Sequence, residues 1–342
     1  MKKKIMVVLL VLAILLTSGC GANNYLKNDD NKIVQYKKTG QNLPNNILCQ
    51  PKDKDLYEVY NKYNDQLKVK LEELPKCDEF KVTTKESGIW EFLFVKPLAW
   101  AILKLGNLVG NMGISLIIVG LLIRIILLPF SYKMQKQSKD MQKVQSEMQK
   151  IEYKYRGRDD REAMMMKATE MREIYKKHHV SPMGGCLIAF IQLPVFFAFL
   201  QAINRVPAIF DDKLFGFNLG MTPYVGLQQG NYWYILLILL IAASTYFSFK
   251  YSMRQTSGMT NNNNGMPDMS MMTNIMVIMI VMTSFSLTTA LSFYWIVTYA
   301  FIAIQTFIFK KLLNKGKEEK KHNNKIQDKL KMKKGMKYGS NS

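Results

Sequence analysis

Several kinds of residue are scarce or missing in this chain, and each gap removes a class of function. The long apolar runs contain no aspartate or glutamate. Ion-coupled transporters place acids at membrane depth, and an intramembrane aspartyl protease needs them too. The chain has only 3 histidines, His178, His179 and His322, none inside an apolar run, and it lacks a His-Glu-x-x-His pair. That removes the usual zinc hydrolase. No Gly-x-x-x-x-Gly-Lys-Ser/Thr loop is present to cradle a nucleotide, and no Gly-x-Ser-x-Gly elbow to raise a serine nucleophile. We therefore expect no enzyme activity, catalytic residue, metal site or cofactor.

What is present is apolar and basic. Of 342 residues, 48% are hydrophobic, and 47 Lys+Arg outweigh 26 Asp+Glu for a formal net charge of +21. In a soluble protein that excess would point to nucleic acid. Here the apolar residues come in blocks with the basic residues between and after them, which is the pattern of a membrane protein with positive loops.

Five spans are predicted, at about 108–131, 183–205, 231–250, 272–288 and 290–309. A hydrocarbon core of about 30 Å needs about 20 helical residues. The last two spans form one nearly continuous run, divided near Ser284–Thr289. Residues 132–181 and 310–342 are rich in Lys and Arg, whereas 206–230 holds Asp211, Asp212 and only Lys213. The positive-inside rule then puts the C-terminus and the 132–181 loop in the cytoplasm and the N-terminus outside.

One permanent charge sits inside the first span. Arg124 lies in an apolar stretch from Gly113 to Pro129, where a charge costs roughly 2.5–3.5 kcal/mol on insertion scales. Gly113, Gly120 and Arg124 share one helix face, which suggests a recess. The side chain either snorkels to the surface or faces a wet cavity in the cytoplasmic half of the membrane. Gln192 shares a face with Gly185 on the second span, and Thr288, Ser292, Trp295, Tyr299 and Thr306 form a stripe on the last. Each of these could serve as helix–helix glue. Together with Arg124 they outline a hydrophilic groove, with Arg124, Gln192, Ser292, Trp295 and Tyr299 as its substrate-facing residues.

Residues 1–19 read as a secretory signal: Lys2–Lys4, an apolar core from Ile5 to Leu16, then Thr17-Ser18-Gly19. Cys20 follows at once, as in a bacterial lipoprotein, where that cysteine carries a diacylglycerol and two acyl chains give stable anchoring. The other reading is an ordinary cleaved signal or an uncleaved anchor. Residues 20–88 form a small polar extracytoplasmic segment, with an amphipathic helix expected from Asp55 to Leu74. Cys49 and Cys77 flank it; an oxidising exterior would bridge them and a reducing one would not. Residues 89–106, with Trp90, Phe92, Phe94 and Trp100 beside Lys96, Pro97 and Lys104, read as an amphipathic helix along the outer interface.

In the first loop Met134, Met141, Met148 and Tyr155 recur every seven residues, with Val144 and Ile151 between them. Arg156-Gly157-Arg158 breaks the pattern, and a second helix follows with Met164, Ala168, Met171 and Tyr175 as its apolar face. The prediction is an antiparallel helical hairpin over 132–181, either a spacer or a soft methionine-rich surface for apolar partners. The second loop holds Asn261–Asn264, a low-complexity run. The tail, 314–342, is a polycation suited to anionic lipid or to ribosomal RNA.

These features resemble the YidC/Oxa/Alb family of membrane protein insertases in its Gram-positive lipoprotein form. The resemblance covers roughly 88–312. It rests on Arg124 to Pro129 before a basic hairpin, on Ile174-Tyr175-Lys176-Lys177-His178-His179-Val180-Ser181-Pro182, on Gly185-Cys186-Leu187, on Ile191-Gln192-Leu193-Pro194-Val195-Phe196-Phe197, and on Phe293-Tyr294-Trp295-Ile296-Val297. Ile188 and Thr288-Thr289-Ala290 depart from the family pattern, and 20–88 is too short for its large periplasmic domain. The resemblance implies an all-α polytopic membrane protein. Five transmembrane helices would surround a hydrophilic groove, open to cytoplasm and lipid and closed outside, in a core spanning 107–313. It maps the groove arginine to Arg124 and the groove tryptophan to Trp295. It implies nascent membrane proteins as substrates, received in the groove and released into lipid, with the Sec translocon, ribosome and signal recognition particle as candidate partners. The alternative activity is a membrane chaperone or assembly scaffold that translocates nothing.

Overall fold

The computed structural model describes residues 24–84, 87–158, 160–180, 184–253 and 269–338. The signal segment, Cys20 and Asn261–Asn264 lie outside these. The chain is built on helices; the strands among the described residues are two residues each.

The first unit is a small cap over 24–84. Strand β1 (Gln35–Tyr36) pairs antiparallel with β2 (Gln41–Asn42), Gln35 opposite Asn42. Helix α1 (Lys54–Lys62) starts where the Asp53 carboxylate accepts the Leu56 N–H at 2.8 Å, a side-chain cap of the usual kind. This helix stops well short of the expected Leu74. The Asn64 side chain accepts the Leu71 N–H at 2.8 Å, offering the backbone a partner that competes with the helix, and the chain continues in 3-10 turns at Asn64–Gln66 and Leu71–Glu73. Leu26, Leu43, Leu56, Tyr60 and Leu71 are fully buried in the cap. A disulfide joins Cys49 to Cys77.

Helix α2 (Lys96–Val109) follows a π-helical turn at Glu91–Val95 and ends at Gly110, whose φ of 77° needs a residue without a Cβ. Helix α3 (Met112–Ile126) folds back on it. Ser115 donates to the Ile102 carbonyl, and the bare Gly106 admits the Met112 side chain. A bend of 55° at Leu127 separates α3 from α4 (Leu128–Lys154). Pro129 in the first turn of α4 explains it, since its ring excludes a straight continuation and removes one backbone donor.

Helix α5 (Arg161–Lys177) begins at Asp160, whose carboxylate accepts the Ala163 N–H at 3.0 Å. It lies against α4 as a helical hairpin. Val144, Met148, Ile151 and Tyr155 face Ala163, Met171, Ile174, Tyr175 and Val180. The seam on α5 differs from the expected one by a residue: Ala163 is buried, while Met164 is 57% exposed and Ala168 is exposed too. Asp160 sets where the helix starts, and the small Ala163 fits the closed tip where Met164 would not. Near the tip Glu170 accepts from Lys154 at 2.6 Å and Tyr155 at 2.8 Å. Near the base Glu147 meets His178 at 3.0 Å.

Helix α6 (Gly184–Asn204) carries Pro194 inside it. A connector, 205–228, leads to α7 (Trp233–Met253); α8 (Met269–Ser284) and α9 (Thr289–Tyr338) follow. Within the connector, β3 (Lys213–Leu214) pairs with β4 (Phe217–Asn218) around Phe215 and Gly216, both at positive φ (51° and 84°). That is the two-residue turn whose twist suits a hairpin. Helices α3, α6, α7, α8 and the first half of α9 fall on the five apolar runs of the sequence. Trp233–Lys250 and Thr289–Leu313 are each long and apolar enough to cross a membrane; Met112–Ile126 with Leu128–Gln142 is so as a bent pair, and Glu91–Val109 meets the same measure. The long α9 packs along α7 and α3, and α8 lies on α7.

Candidate functional site: a polar interior around Arg124

Arg124 occupies the last turn of α3, just before the bend. The carbonyls at a helix C-terminus carry partial negative charge, which favours a cation there by about 0.3–1 kcal/mol and more when partly buried. The side chain is 9% exposed. Its guanidinium donates to Gln192 Oε1 on α6 at 2.7 Å. Tyr294 and Tyr299 on α9 are close enough to interact with its charge. Among the described residues no carboxylate forms an ion pair with it. A guanidinium has five N–H donors, and the one strong acceptor it finds here is a neutral amide.

The glycine face of α3 is occupied rather than empty. A Cβ at Gly120 would stand 3.3 Å from the Tyr294 ring, and one at Gly113 would collide with Leu214 and Leu219 of the connector. The recess read from the sequence is thus filled by Tyr294, which also stacks on Phe199 of α6 at 4.2 Å.

The other expected residues are distributed as follows. Ser292 is 1% exposed, and among the described residues its hydroxyl finds no hydrogen-bond partner; nor does the Thr288 hydroxyl. Trp295 is buried and stacked on Phe196 of α6 with centroids 5.7 Å apart. Tyr299 is partly buried and meets Phe249 of α7 at 6.1 Å. Cys49 and Cys77 are bridged to each other within the cap.

Sequence reasoning missed three contributors. Tyr294 and Thr298 are buried beside the stripe, and the Tyr294 hydroxyl lies within electrostatic reach of Arg124, Gln192 and Thr298 without a hydrogen bond of ordinary geometry. Gln135 on α4, also buried, donates to Thr306 at 3.1 Å while its own oxygen stays unpartnered. The signal was available for two of them: 294 and 298 recur at helical spacing beside the stripe that was read. From Ser292 to Thr306 this polar face runs about 21 Å at 1.5 Å per residue, from beneath the connector toward the hairpin. Buried polar atoms without protein partners are costly unless water or a ligand meets them.

The connector closes one end. Its carbonyls at Leu219 and Met221 accept the first N–H groups of α9, from Ala290 and Thr289, both at 2.9 Å, and the Asp212 carboxylate accepts the Met112 N–H of α3. Otherwise-unpaired donors of two helix starts are satisfied by one loop.

The chain matches the model of the 60Kd inner membrane protein family over residues 104–318. The chain belongs to the YidC family of membrane protein insertases. It is 36% identical over 237 residues to membrane protein insertase YidC 2 of Bacillus anthracis, covering 68% of this chain and 87% of that protein. It is 36% identical to membrane protein insertase YidC of Alkalihalophilus pseudofirmus over 66% and 84% of the two chains. Against membrane protein insertase MisCA of Bacillus subtilis the identity is 33%, over 68% and 85%. Membership fixes the class: an all-α, multi-pass membrane protein of a YidC-type transport family. The family model begins after the cap and spans every element that contributes to the polar interior.

Proposed function

We propose that this chain inserts integral membrane proteins by receiving their polar segments in the interior around Arg124 and releasing their apolar segments sideways into lipid. The observation that carries the reading is Arg124 itself: a buried cation held by a neutral amide. A cation kept for structure alone is better served by a carboxylate, because an unpaired buried charge is costly. A cation kept for an arriving anionic or polar segment must have N–H donors left over. Gln192 positions it, while Ser292, Trp295 and Tyr299 wall the path. Burial of the incoming span supplies the drive, about 25 cal/mol per Å² of apolar surface.

The charge of the loops supports the hairpin and tail in the cytoplasm and the cap outside. The ties at the two ends of the helical stretch from Glu91 to Val109 support the expected 89–106 helix lying along the outer interface. At one end Trp90 donates to Gln201 and Glu91 pairs with Arg205; at the other Asn111 donates to the Lys213 carbonyl. Both ends are thus held by one short stretch, 201–213. A diacylglycerol on Cys20 would anchor the cap. Partners in this reading are nascent membrane proteins, with the Sec translocon, ribosome, signal recognition particle and anionic lipids meeting the hairpin and the basic tail.

The test is Arg124→Ala in cells depleted of their own insertase, with the purified variant in liposomes as the second arm. The parent moves a substrate's tail across the bilayer and the variant does not. A variant that restores growth and translocates normally removes the role assigned to Arg124, and a parent that translocates nothing in liposomes is a scaffold.

A further inference from the structure

The cap lies outside the region matched by the family model, and one arginine of the core makes several of the bonds that hold it. Arg205, immediately after α6, is 7% exposed. Its Nε donates to the Asn46 carbonyl of the cap at 2.6 Å, and a terminal nitrogen pairs with Glu91 at 2.9 Å. Its own backbone carbonyl accepts the Leu48 N–H of the cap at 2.8 Å. One buried arginine therefore clasps the cap, the helix that begins near Glu91 and the start of the connector. A second tie stands at the far end of the connector. Thr222 donates its N–H to the Thr39 carbonyl at 3.2 Å, and Gly40 approaches Val225 so closely that a Cβ there would come within 2.2 Å of it. Between these two ties, the connector caps the first turns of α3 and α9, and the turn of α9 that it caps leads into Ser292.

We propose that the cap is a latch that holds the 205–228 connector shut over the polar interior, with Arg205 as the positioning residue through which it acts. The latch keeps the cap side sealed to ions and polypeptide, so that a substrate accepted beside Arg124 leaves laterally into lipid. This rests on the groove described above. A connector pinned at one end only could hinge about the other; pinned at both, by a charge-assisted hydrogen bond and by close backbone packing, it cannot lift without moving the cap as a body.

The test is vectorial labelling with a membrane-impermeant sulfonated thiol reagent. The reporters are Ser292→Cys beneath the connector and Thr298→Cys deeper in, each in a Cys186→Ser background. Reagent is applied from the cap side in intact cells and from the hairpin side in inverted vesicles. With the latch intact, Thr298→Cys reacts from the hairpin side and Ser292→Cys reacts from the cap side only at a slow background rate. Arg205→Ala raises cap-side labelling of Ser292→Cys about ten- to a hundredfold, the loss expected for a buried charge-assisted bond. Arg205→Lys, which keeps a charge for Glu91 but loses the Nε bond to Asn46, gives an intermediate rise. Gly40→Val, which forces the second tie apart and touches no spanning helix, raises it independently. Hairpin-side labelling stays constant in every folded variant, which a general loosening of the bundle would not allow. Cap-side labelling unchanged in both Arg205→Ala and Gly40→Val overturns the latch and leaves the groove reading standing. Thr298→Cys that is silent from the hairpin side in the parent sinks the groove reading, and the latch with it.

Discussion

Arg124 and Gln192 make opposite demands on the fold, and substituting each in turn separates function from stability. Replacing Gln192 by leucine leaves the guanidinium buried at 9% exposure and takes away the acceptor it meets at 2.7 Å. The lost bond is charge-assisted, so the cost is about 1.5–3 kcal/mol. At about 2–4 °C per kcal/mol for a body of this size, melting in detergent falls by about 3–12 °C. Arg124→Met removes the charge together with its desolvation penalty and fills the space with a flexible apolar chain. Buried charges replaced in this way leave stability unchanged or raise it, so Arg124→Met melts at or above the parent while insertion of a model substrate into liposomes is lost. The double variant regains most of what Gln192→Leu lost, and the cycle isolates the coupling between the pair. If Arg124→Met instead melts as low as Gln192→Leu and still inserts substrate, the arginine is a structural strut and the proposed mechanism is wrong.

Three further outcomes follow from other parts of the molecule. The Cys49–Cys77 bridge closes a separation of 28 residues; by loop-closure entropy Cys49→Ser costs the cap about 3–4 kcal/mol, read as faster proteolysis of 24–84 with the hairpin cleaved at the parent's rate. Desolvation and the nearby Asp53 carboxylate push the Asp211 carboxyl up to about 6 from 3.8. An acid raised in this way destabilises the folded form once ionised, fully above the raised value and not at all below the ordinary one. Asp211→Asn therefore stabilises the cap against urea at about pH 7.5 and has no effect at about pH 3.5; equal effects at both would refute the assignment. Gly120→Leu drives a side chain into the Tyr294 ring that a bare Cβ already approaches to 3.3 Å. It should abolish insertion with Arg124 intact, and a fully active variant would show that the Tyr294 wall is dispensable.

Much of this molecule is written in one dimension. Apolar runs of membrane length, basic stretches between them and the heptad along 134–155 each express a local period or a local composition. The helices built on them need little from distant residues. What misled was also local in origin. The apolar period from Asp55 to Leu74 continues past Lys62, but Asn64 turns its side chain onto the Leu71 N–H and stops the helix. On α5 the periodicity admits two adjacent faces, and the packing of Ala163 at the hairpin tip chooses between them.

The sequence by itself determined that a charge sits among apolar residues at Arg124, because composition and periodicity are properties of the chain alone. Only the tertiary structure decided what that charge meets. Gln192 is 68 residues away and Tyr294 farther still, and no local period encodes which helix faces which. The same holds for Arg205. Read in sequence it is a flanking cation at the end of a span; folded, it joins an arginine to a cap carbonyl 159 residues distant and to Glu91, 114 residues away. The physical reason is common to both. Helix formation satisfies backbone groups within a few residues, whereas pairing a buried cation requires acceptors that the chain delivers only once its helices have packed.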